Sequence, residues 1–150
     1  MQTVNSFTPA PGLAPLIPPE LFARLSYPTV RLSGTIDEFA ATSFLNQVEP
    51  VLSSPGSIVV EMFSSGGDAE VARRLAQEVR LLREVQGRDM WFLGKTLVAS
   101  GAVTVMAAFP RERRWLTRDT TLLIHGRRMM RNVHREGPLG SCRRVLEELI

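Results

Sequence analysis

A run of apolar residues that leads directly into two glycines constrains the fold of this chain more than any other feature. Residues 58–63 have the sequence IVVEMF, and such a mostly continuous apolar run is typical of a strand buried on both faces of a parallel sheet. The sequence SSGGD follows at residues 64–68. Residues 69–86 then carry apolar side chains at helical spacing, at Val71, Leu75, Val79 and Leu82. The pattern predicts a buried strand, a glycine turn and an amphipathic helix.

The segments on either side predict further strands and helices in alternation. Strand-like sequences occupy Thr29–Leu32, Met90–Leu93 and Thr120–Ile124. Asp37 is a candidate N-cap for a helix that should end before Pro50. The apolar side of that helix is predicted to consist of Phe39, Phe44, Leu45 and Val48. Strands that alternate with helices predict an α/β domain with a mostly parallel β-sheet, built from repeated β-α units and covered by helices.

Proline is concentrated at the amino-terminal end of the chain. Six of the ten prolines fall within residues 1–28, and proline interrupts the hydrogen bonds of regular ladders. We therefore expect residues 1–28 to form a proline-rich arm outside the core. Such an arm is either a disordered leader or a strap along a neighbouring subunit. Residues 29–150 are expected to form the folded domain.

The composition of the 150 residues excludes several classes of protein. With 44% hydrophobic and 22% charged residues, a single soluble globular domain is expected. No apolar run reaches the roughly 18 residues of a membrane-spanning helix. The first residues lack the pattern of a secretory signal, so we expect a cytoplasmic protein with no membrane contact. Because Cys142 is the single cysteine and no Cys/His cluster has zinc-ligand spacing, we expect no disulfide, no metal and no other cofactor.

Positive charge is concentrated in the last 40 residues. Residues 1–110 carry a net charge of −2, whereas residues 111–150 carry +5 from ten arginines and five acids. These arginines are not interleaved with aromatic side chains on which bases could stack. We therefore expect no nucleic-acid partner, and interpret the basic region as a solvated face or a subunit contact.

The glycine pair Gly66-Gly67 lies between the predicted buried strand and the start of a helix. Two glycines there allow positive φ and leave backbone N–H groups uncovered, which suits an anion or a developing oxyanion. A plain tight turn explains the same residues. The motif is too short for the dinucleotide or Walker fingerprints, so nucleotide binding is not favoured.

Ser100 begins an apolar segment of small residues that extends to Phe109, and it stands in the sequence VASGA. Neighbours this small leave the hydroxyl uncovered, and the following backbone N–H could help to hold an oxyanion. These are features of a nucleophilic serine. A helix N-cap is the more common role for a serine in this position, and the segment alone does not separate the two.

His125 follows the apolar sequence TLLI and precedes Gly126. Its imidazole is therefore expected at the carboxyl edge of the parallel sheet, where the ligand sites of α/β proteins lie. An ordinary residue at a strand end has the same sequence context. His134, by contrast, lies among arginines and is not a candidate.

Five segments occur together in a fixed order along the chain. They are RLSGTID at 31–37, SSGGD at 64–68, VASGA at 98–102, RRWL at 113–116 and LIH at 123–125. In this order, and with 25 residues between the serine and the histidine, the chain from about residue 29 to residue 150 resembles the proteolytic subunit of the ATP-dependent caseinolytic protease (ClpP). It also resembles the wider ClpP/crotonase superfamily.

The resemblance implies a ClpP/crotonase-like fold and a serine endopeptidase. Ser100 would attack the peptide carbonyl, and His125 would accept its proton and return it to the leaving amine. The backbone N–H groups of Gly67 and Gly101 would form the oxyanion hole, since they match the second loop glycine of the family and the residue after its nucleophile.

The resemblance also implies how substrates and partners are bound. An extended peptide or unfolded protein would pair with the strand edges near Gly66, Asp68 and Gly126 through main-chain hydrogen bonds. Members of the family assemble into homo-oligomeric rings that enclose the sites, and an ATP-dependent unfoldase feeds them.

The sequence departs from the family pattern at three places. Ser65 stands where the family has proline before the glycine pair, and residues 126–135 are rich in arginine where the family has a Gly/Gln-rich stretch. The acidic member of the triad lies well downstream of the histidine, and neither Asp119 nor Glu136 matches it. We therefore expect the peptidase domain to lack its carboxyl-terminal part, with the acid on a strand beyond Ile150.

Two other functions are consistent with the same fold. One is a catalytically silent ClpP-like subunit that acts as a scaffold in a ring. The other is a crotonase-type acyl-CoA enzyme, which shares the paired-amide oxyanion hole. The pair Ser100 and His125 favours the peptidase, because a crotonase has no need of a serine nucleophile with a histidine base.

Overall fold

The computed structural model describes residues 19–126 of the chain, with side chains from residue 22 onward. In this range the elements, in chain order, are α1 Pro19–Ser26, β1 Val30–Ile36, α2 Glu38–Leu52, β2 Ile58–Gly67, α3 Ala69–Glu84, β3 Met90–Ala99, α4 Gly101–Met106, β4 Arg114–Leu116 and β5 Thr121–Leu123. A single 3₁₀ turn at Arg111–Arg113 precedes β4. Within this range, no helix has the length and hydrophobicity needed to cross a bilayer.

The five strands form one sheet in which every pair is parallel. The order is β1-β2-β3-β4, and β5 pairs with the same edge of β3 further along the strand. The predicted mostly parallel sheet with alternating helices is confirmed. The strand β4 is additional, and β3 continues six residues past the predicted end at Leu93.

A bulge in β3 allows two strands to share one edge. Between the pairs Met62↔Gly94 and Ser64↔Val98, β2 advances two residues while β3 advances four. Thr96 lies in this bulge with φ +60. Phe92–Gly94 therefore pairs with β4 and Leu97–Ala99 pairs with β5. The bulge shifts the end of β3 relative to β2 and so sets the position of the turn that follows.

The helices α2, α3 and α4 cover one face of the sheet. Their apolar side chains share a core with alternate residues of β1, β2 and β3. From the helices this core includes Phe44 and Leu75, and from the strands Val60, Met62 and Phe92. All four apolar positions predicted for α3 are buried, as are two of those predicted for α2. The other two are exposed, Phe39 at 81% and Leu45 at 37%. Ala40 and Ala41 are buried instead, so the buried stripe of α2 consists of Ala40, Ala41, Phe44 and Val48.

The helix α2 continues past the predicted stop at Pro50 and ends at Leu52. Proline in the last turn removes one hydrogen bond without blocking the residues that follow. The guanidinium of Arg88 stabilises this end, since it donates to the carbonyl oxygens of Val51, Leu52, Ser54 and Gly56 at 2.7–3.3 Å. Arg88 thereby satisfies carbonyls that a helix end leaves unpaired.

The opposite face of the sheet is contacted by α1, which lies within the range predicted as an arm. Residues 19–26 are helical, and a proline is tolerated at the first helical position because its N–H would be unpaired there. Leu25 is buried with Val59 and Leu93, beside the partly buried Trp91 and Trp115. The expectation of an arm outside the core is therefore corrected for residues 19–26, and residues 1–18 lie outside the described range.

The carboxylate of Asp89 links α1 to the sheet. Ser57 donates a hydrogen bond to Asp89 and accepts one from Arg24. Nε1 of Trp91 donates to Asp89 at 3.0 Å. A guanidinium nitrogen of Arg113 lies 3.0 Å from the carboxylate, and this group also stacks on the Trp91 ring. Burial alone would raise the pKa of Asp89, but the hydrogen bonds and the two arginines outweigh it and hold the pKa below its usual 3.8.

Replacing Asp89 with asparagine should lower the free energy of unfolding at neutral pH, and the difference from wild type should become smaller in acid. A carboxyl whose pKa is lowered by folding stabilises the fold above its unfolded value of 3.8, and this contribution is lost as the pH falls through the folded value. Urea denaturation followed by tryptophan fluorescence measures the free energies of unfolding of the variant and of wild type at about pH 7 and about pH 3.

The control for this experiment is Glu38→Gln, which removes only a surface ion pair with Arg74. Its effect should be small at either pH. A difference between Asp89→Asn and wild type that stays constant down to about pH 3 would contradict the assignment of the stabilisation to the ionised carboxylate.

Candidate active site

The candidate site lies where β2 and β3 end side by side. Parallel strands place their carboxyl ends at the same edge of a sheet, and the ladder pairs Ser64 with Val98. Two residues beyond each member of this pair, the chain reaches Gly66 and Ser100. The fold therefore brings together two turns that are 34 residues apart in the sequence.

Gly66 packs directly against Ser100. Its φ of +99 belongs to the left-handed region that favours glycine. A Cβ at this position would lie 2.6 Å from Cβ of Ser100 and 3.0 Å from the backbone nitrogen of Gly101. Any larger residue would displace Ser100, so the absence of a side chain at Gly66 is a requirement of this packing.

Gly67 packs against the other neighbour of β2. Its φ is +155, and a Cβ there would collide with backbone atoms of Ile36 in β1, including the nitrogen at 2.7 Å. On its other side, Gly67 approaches the start of α4, since a Cβ on Gly101 would lie 3.6 Å from the Gly67 nitrogen. The two backbone amides predicted to form an oxyanion hole, those of Gly67 and Gly101, are thus neighbours in space.

Ser100 occupies a strained turn between β3 and α4. Its φ and ψ are +52° and −118°, a combination that costs a non-glycine residue roughly 1–3 kcal/mol and is concentrated at functional sites. Its backbone N–H donates to the carbonyl of Leu123 at 3.0 Å. Ser100 occupies the N-cap position of α4, but its hydroxyl makes no cap bond to the helix. The hydroxyl has no hydrogen-bond partner among the described residues.

His125 lies two residues beyond β5, near the same edge of the sheet. The pairing of Leu123 with Ala99 brings this end of the chain alongside the end of β3. The imidazole is exposed, and its Nδ1 lies 2.7 Å from the carbonyl oxygen of Gly126. The structure thus places His125 two residues beyond Leu123, whose carbonyl accepts from the Ser100 N–H, and directs the His125 ring nitrogen to the next residue.

Within residues 19–126, no carboxylate is hydrogen-bonded to His125, so none of them orients its ring. Asp119 is exposed in the turn before β5, with φ +63. Glu136, the arginine-rich stretch and the carboxyl-terminal segment lie outside the described residues. The same range contains no group of three His, Cys, Asp or Glu side chains that could hold a metal ion.

Asp68 and Gly126, two of the residues predicted to line the peptide-binding edge, have different surroundings in the structure. The carboxylate of Asp68 caps α3 by accepting from the backbone nitrogens of Glu70 at 2.7 Å and Val71 at 3.2 Å. Its backbone N–H donates to Ile36. These bonds give Asp68 a structural role in fixing the turn. Gly126 has open space where a side chain would project.

Sequence reasoning missed three residues that shape the site. Ser64 is buried and accepts a hydrogen bond from the Gly66 nitrogen. Ile36 and Leu123 act through their backbones, which contact Gly67 and Ser100. A serine two residues before a glycine turn is a signal for such a bond. The backbone contacts depend on strand order and have no signature in the sequence.

Comparison with known proteins identifies the fold. No protein-family model and no curated protein sequence matches the chain. Among solved structures, the chain is similar to ClpP1 from Listeria monocytogenes, with a TM-score of 0.60 and 22% identity over 67% of this chain. It is also similar to the ClpP1 N165D mutant from the same organism, with a TM-score of 0.59 and 19% identity over 83% of this chain.

These alignments span 58% and 65% of the two ClpP1 chains. The chain therefore covers less than two thirds of their length. At this level of identity the similarity establishes a ClpP-like α/β fold and does not by itself establish an activity.

Replacing Gly67 with alanine should destabilise the protein more than replacing Gly34 with alanine. Both glycines have positive φ, but a Cβ on Gly34 meets no atom within 4 Å, whereas one on Gly67 collides with Ile36. The Gly34 variant should therefore show only the backbone cost of about 1 kcal/mol. Thermal or urea denaturation of the two variants measures the difference, and equal destabilisation would contradict the close packing of β1 against Gly67.

Proposed function

We propose that this chain is a ClpP-like serine endopeptidase with Ser100 as nucleophile and His125 as base. The observation that carries the proposal is the position of Ser100, in a strained turn with a free hydroxyl, packed against Gly66 and directly before Gly101, which in turn lies beside the Gly67 amide. A strand-to-helix turn that exposes a serine beside two backbone donors is what acyl transfer needs. The ClpP-like fold supports the same function.

In the proposed reaction, Oγ of Ser100 attacks the carbonyl carbon of the peptide, and His125 accepts the hydroxyl proton. The N–H groups of Gly67 and Gly101 stabilise the negative charge that develops on the carbonyl oxygen. The peptide C–N bond then breaks, and His125 transfers the proton to the leaving amine. Water then attacks the acyl-enzyme with His125 again as the base, and the Ser100 hydroxyl is regenerated. For this role the His125 ring must rotate from the Gly126 carbonyl toward Ser100.

The proposal includes a substrate class and an assembly. An extended peptide or unfolded protein would lie beside the turn that contains Gly66 and the chain near Gly126, where Gly67 and Gly126 are exposed. A homo-oligomeric ring would enclose the sites, with an ATP-dependent unfoldase delivering substrates in the cytoplasm. The exposed apolar side chains of β5 and the residue after it support assembly, because Leu122, Leu123 and Ile124 are 40%, 51% and 70% exposed.

A second candidate function is a catalytically silent scaffold subunit with the same fold. The observation that favours it is the state of His125, whose Nδ1 faces the carbonyl of Gly126 while no carboxylate in residues 19–126 orients the ring. A histidine without its orienting carboxylate can lose roughly ten-thousandfold in turnover. The crotonase alternative gains no such support from the site.

Labelling with a fluorophosphonate probe separates the two candidates. If Ser100 is an activated nucleophile, the wild-type protein should gain one phosphonyl group per chain, and Ser100→Ala should abolish the gain. Intact mass spectrometry measures it. The control is Ser33→Ala, an exposed serine in β1, which should label like wild type. Absence of labelling in wild type would contradict the peptidase and favour the scaffold.

The proposed ring predicts that the protein in solution at micromolar concentration has several times the mass of one chain, which is 16.7 kDa. Light scattering coupled to gel filtration measures it. Ile124→Glu should reduce the mass if the β5 surface contributes, because it places a charge on an apolar contact. Val85→Glu is the matched control, since Val85 is 76% exposed at the far end of α3. A monomeric wild type would contradict the ring.

A further inference from the structure

Ser64 is the buried polar side chain of the described core, with 1% of its surface exposed. A hydroxyl removed from water is costly unless it finds a hydrogen-bond partner. The Ser64 hydroxyl has one, because its Oγ accepts from the backbone nitrogen of Gly66 at 3.0 Å. Its distance to the carbonyl oxygen of the same residue is 3.5 Å, too long to contribute much.

The hydrogen bond from the Gly66 N–H to the Ser64 hydroxyl joins two residues that are two positions apart and stabilises the turn between them. Serine hydroxyls stabilise turns in this way by replacing a backbone partner. The turn needs such a constraint, because Gly66 and Gly67 both have positive φ and glycine has many accessible conformations. The Gly66 nitrogen belongs to the peptide plane before Gly66, so the bond to Ser64 holds the turn from that side. The packing of Gly66 against Ser100 and Gly101 restricts the plane after it, which carries the N–H of Gly67.

From this geometry we infer that Ser64 is a positioning residue for the oxyanion hole, and the inference rests on the proposed function. Ser64 acts through Gly66 and sets the direction of the Gly67 N–H relative to Ser100. Ser100 and Gly101 lie so close to Gly66 that even a Cβ on this glycine would collide with them, which leaves little room for the turn to shift. Without the hydroxyl, the buried Gly66 nitrogen lacks its acceptor, and the turn relaxes to a conformation in which water can reach it.

The test compares Ser64→Ala with Ser64→Cys and with Val60→Ala. Cysteine keeps nearly the size of serine but is a weak acceptor, so it separates the hydrogen bond from the cavity. Val60 is fully buried in the same strand and far from the turn, which makes it the control for general destabilisation. The rate of fluorophosphonate labelling at Ser100 should fall at least about tenfold in Ser64→Ala, since small displacements of catalytic groups are costly. The labelling rate of Ser64→Cys should lie between those of wild type and Ser64→Ala, and Val60→Ala should label at the wild-type rate.

Hydrogen exchange of the Gly66 amide provides a readout that does not depend on activity. In Ser64→Ala this amide should exchange much faster than in wild type, while the amides of Val59 to Met62 keep their protection. Labelling of Ser64→Ala at the wild-type rate, or an equal loss in Val60→Ala, would overturn the inference. If wild type is not labelled at all, the proposed peptidase fails, and unchanged exchange at Gly66 would then show that Ser64 does not hold the turn.

Discussion

The close approach of two turns at the carboxyl edge of the sheet is the constraint on which the site depends. Gly66 lies so near Ser100 that a single methyl group would force them apart. The bulge in β3 sets this distance, since it lengthens the strand by two residues relative to β2. The same bulge divides the edge of β3 between β4 and β5. The position of Ser100 and the arrival of the chain that carries His125 therefore have one structural cause.

The two faces of the sheet are stabilised by different means. One face has a continuous apolar core with three helices, as expected for a parallel sheet. On the other face, α1 contributes Leu25 and the Asp89 network, and the neighbouring surface is ionic. There Glu61 pairs with Lys95 at 2.6 Å across adjacent strands. The face covered by α2, α3 and α4 therefore has the larger apolar core, whereas the opposite face combines a small apolar cluster with ion pairs.

The proposed site combines backbone amides that are held by the fold with a histidine whose ring is not oriented for catalysis. The backbone groups around Ser100 are fixed by the strand ladder and by glycine packing, which no side-chain rotation can change. His125 is fixed by neither, because it is exposed beyond the end of a short strand. Its orientation depends on contacts that residues 19–126 do not provide. The step from a ClpP-like fold to catalysis therefore depends on what orients this one ring.

Local sequence determined the elements whose signals are short-range. The apolar run at 58–63, the cap at Asp37 and the stripe of α3 predicted two strand-to-helix units, and the structure has them. The motifs around Gly66 and Ser100 also identified the residues that meet at the edge. The end of α2 could not be predicted, because Arg88 stabilises it from 36 residues away. Nor could the α1 contact, the bulge or the burial of Ser64, since each depends on packing between distant segments. The sequence alone determined which residues could form the site, and only the tertiary structure decided their distances, because strand register and close backbone packing are properties of the whole sheet.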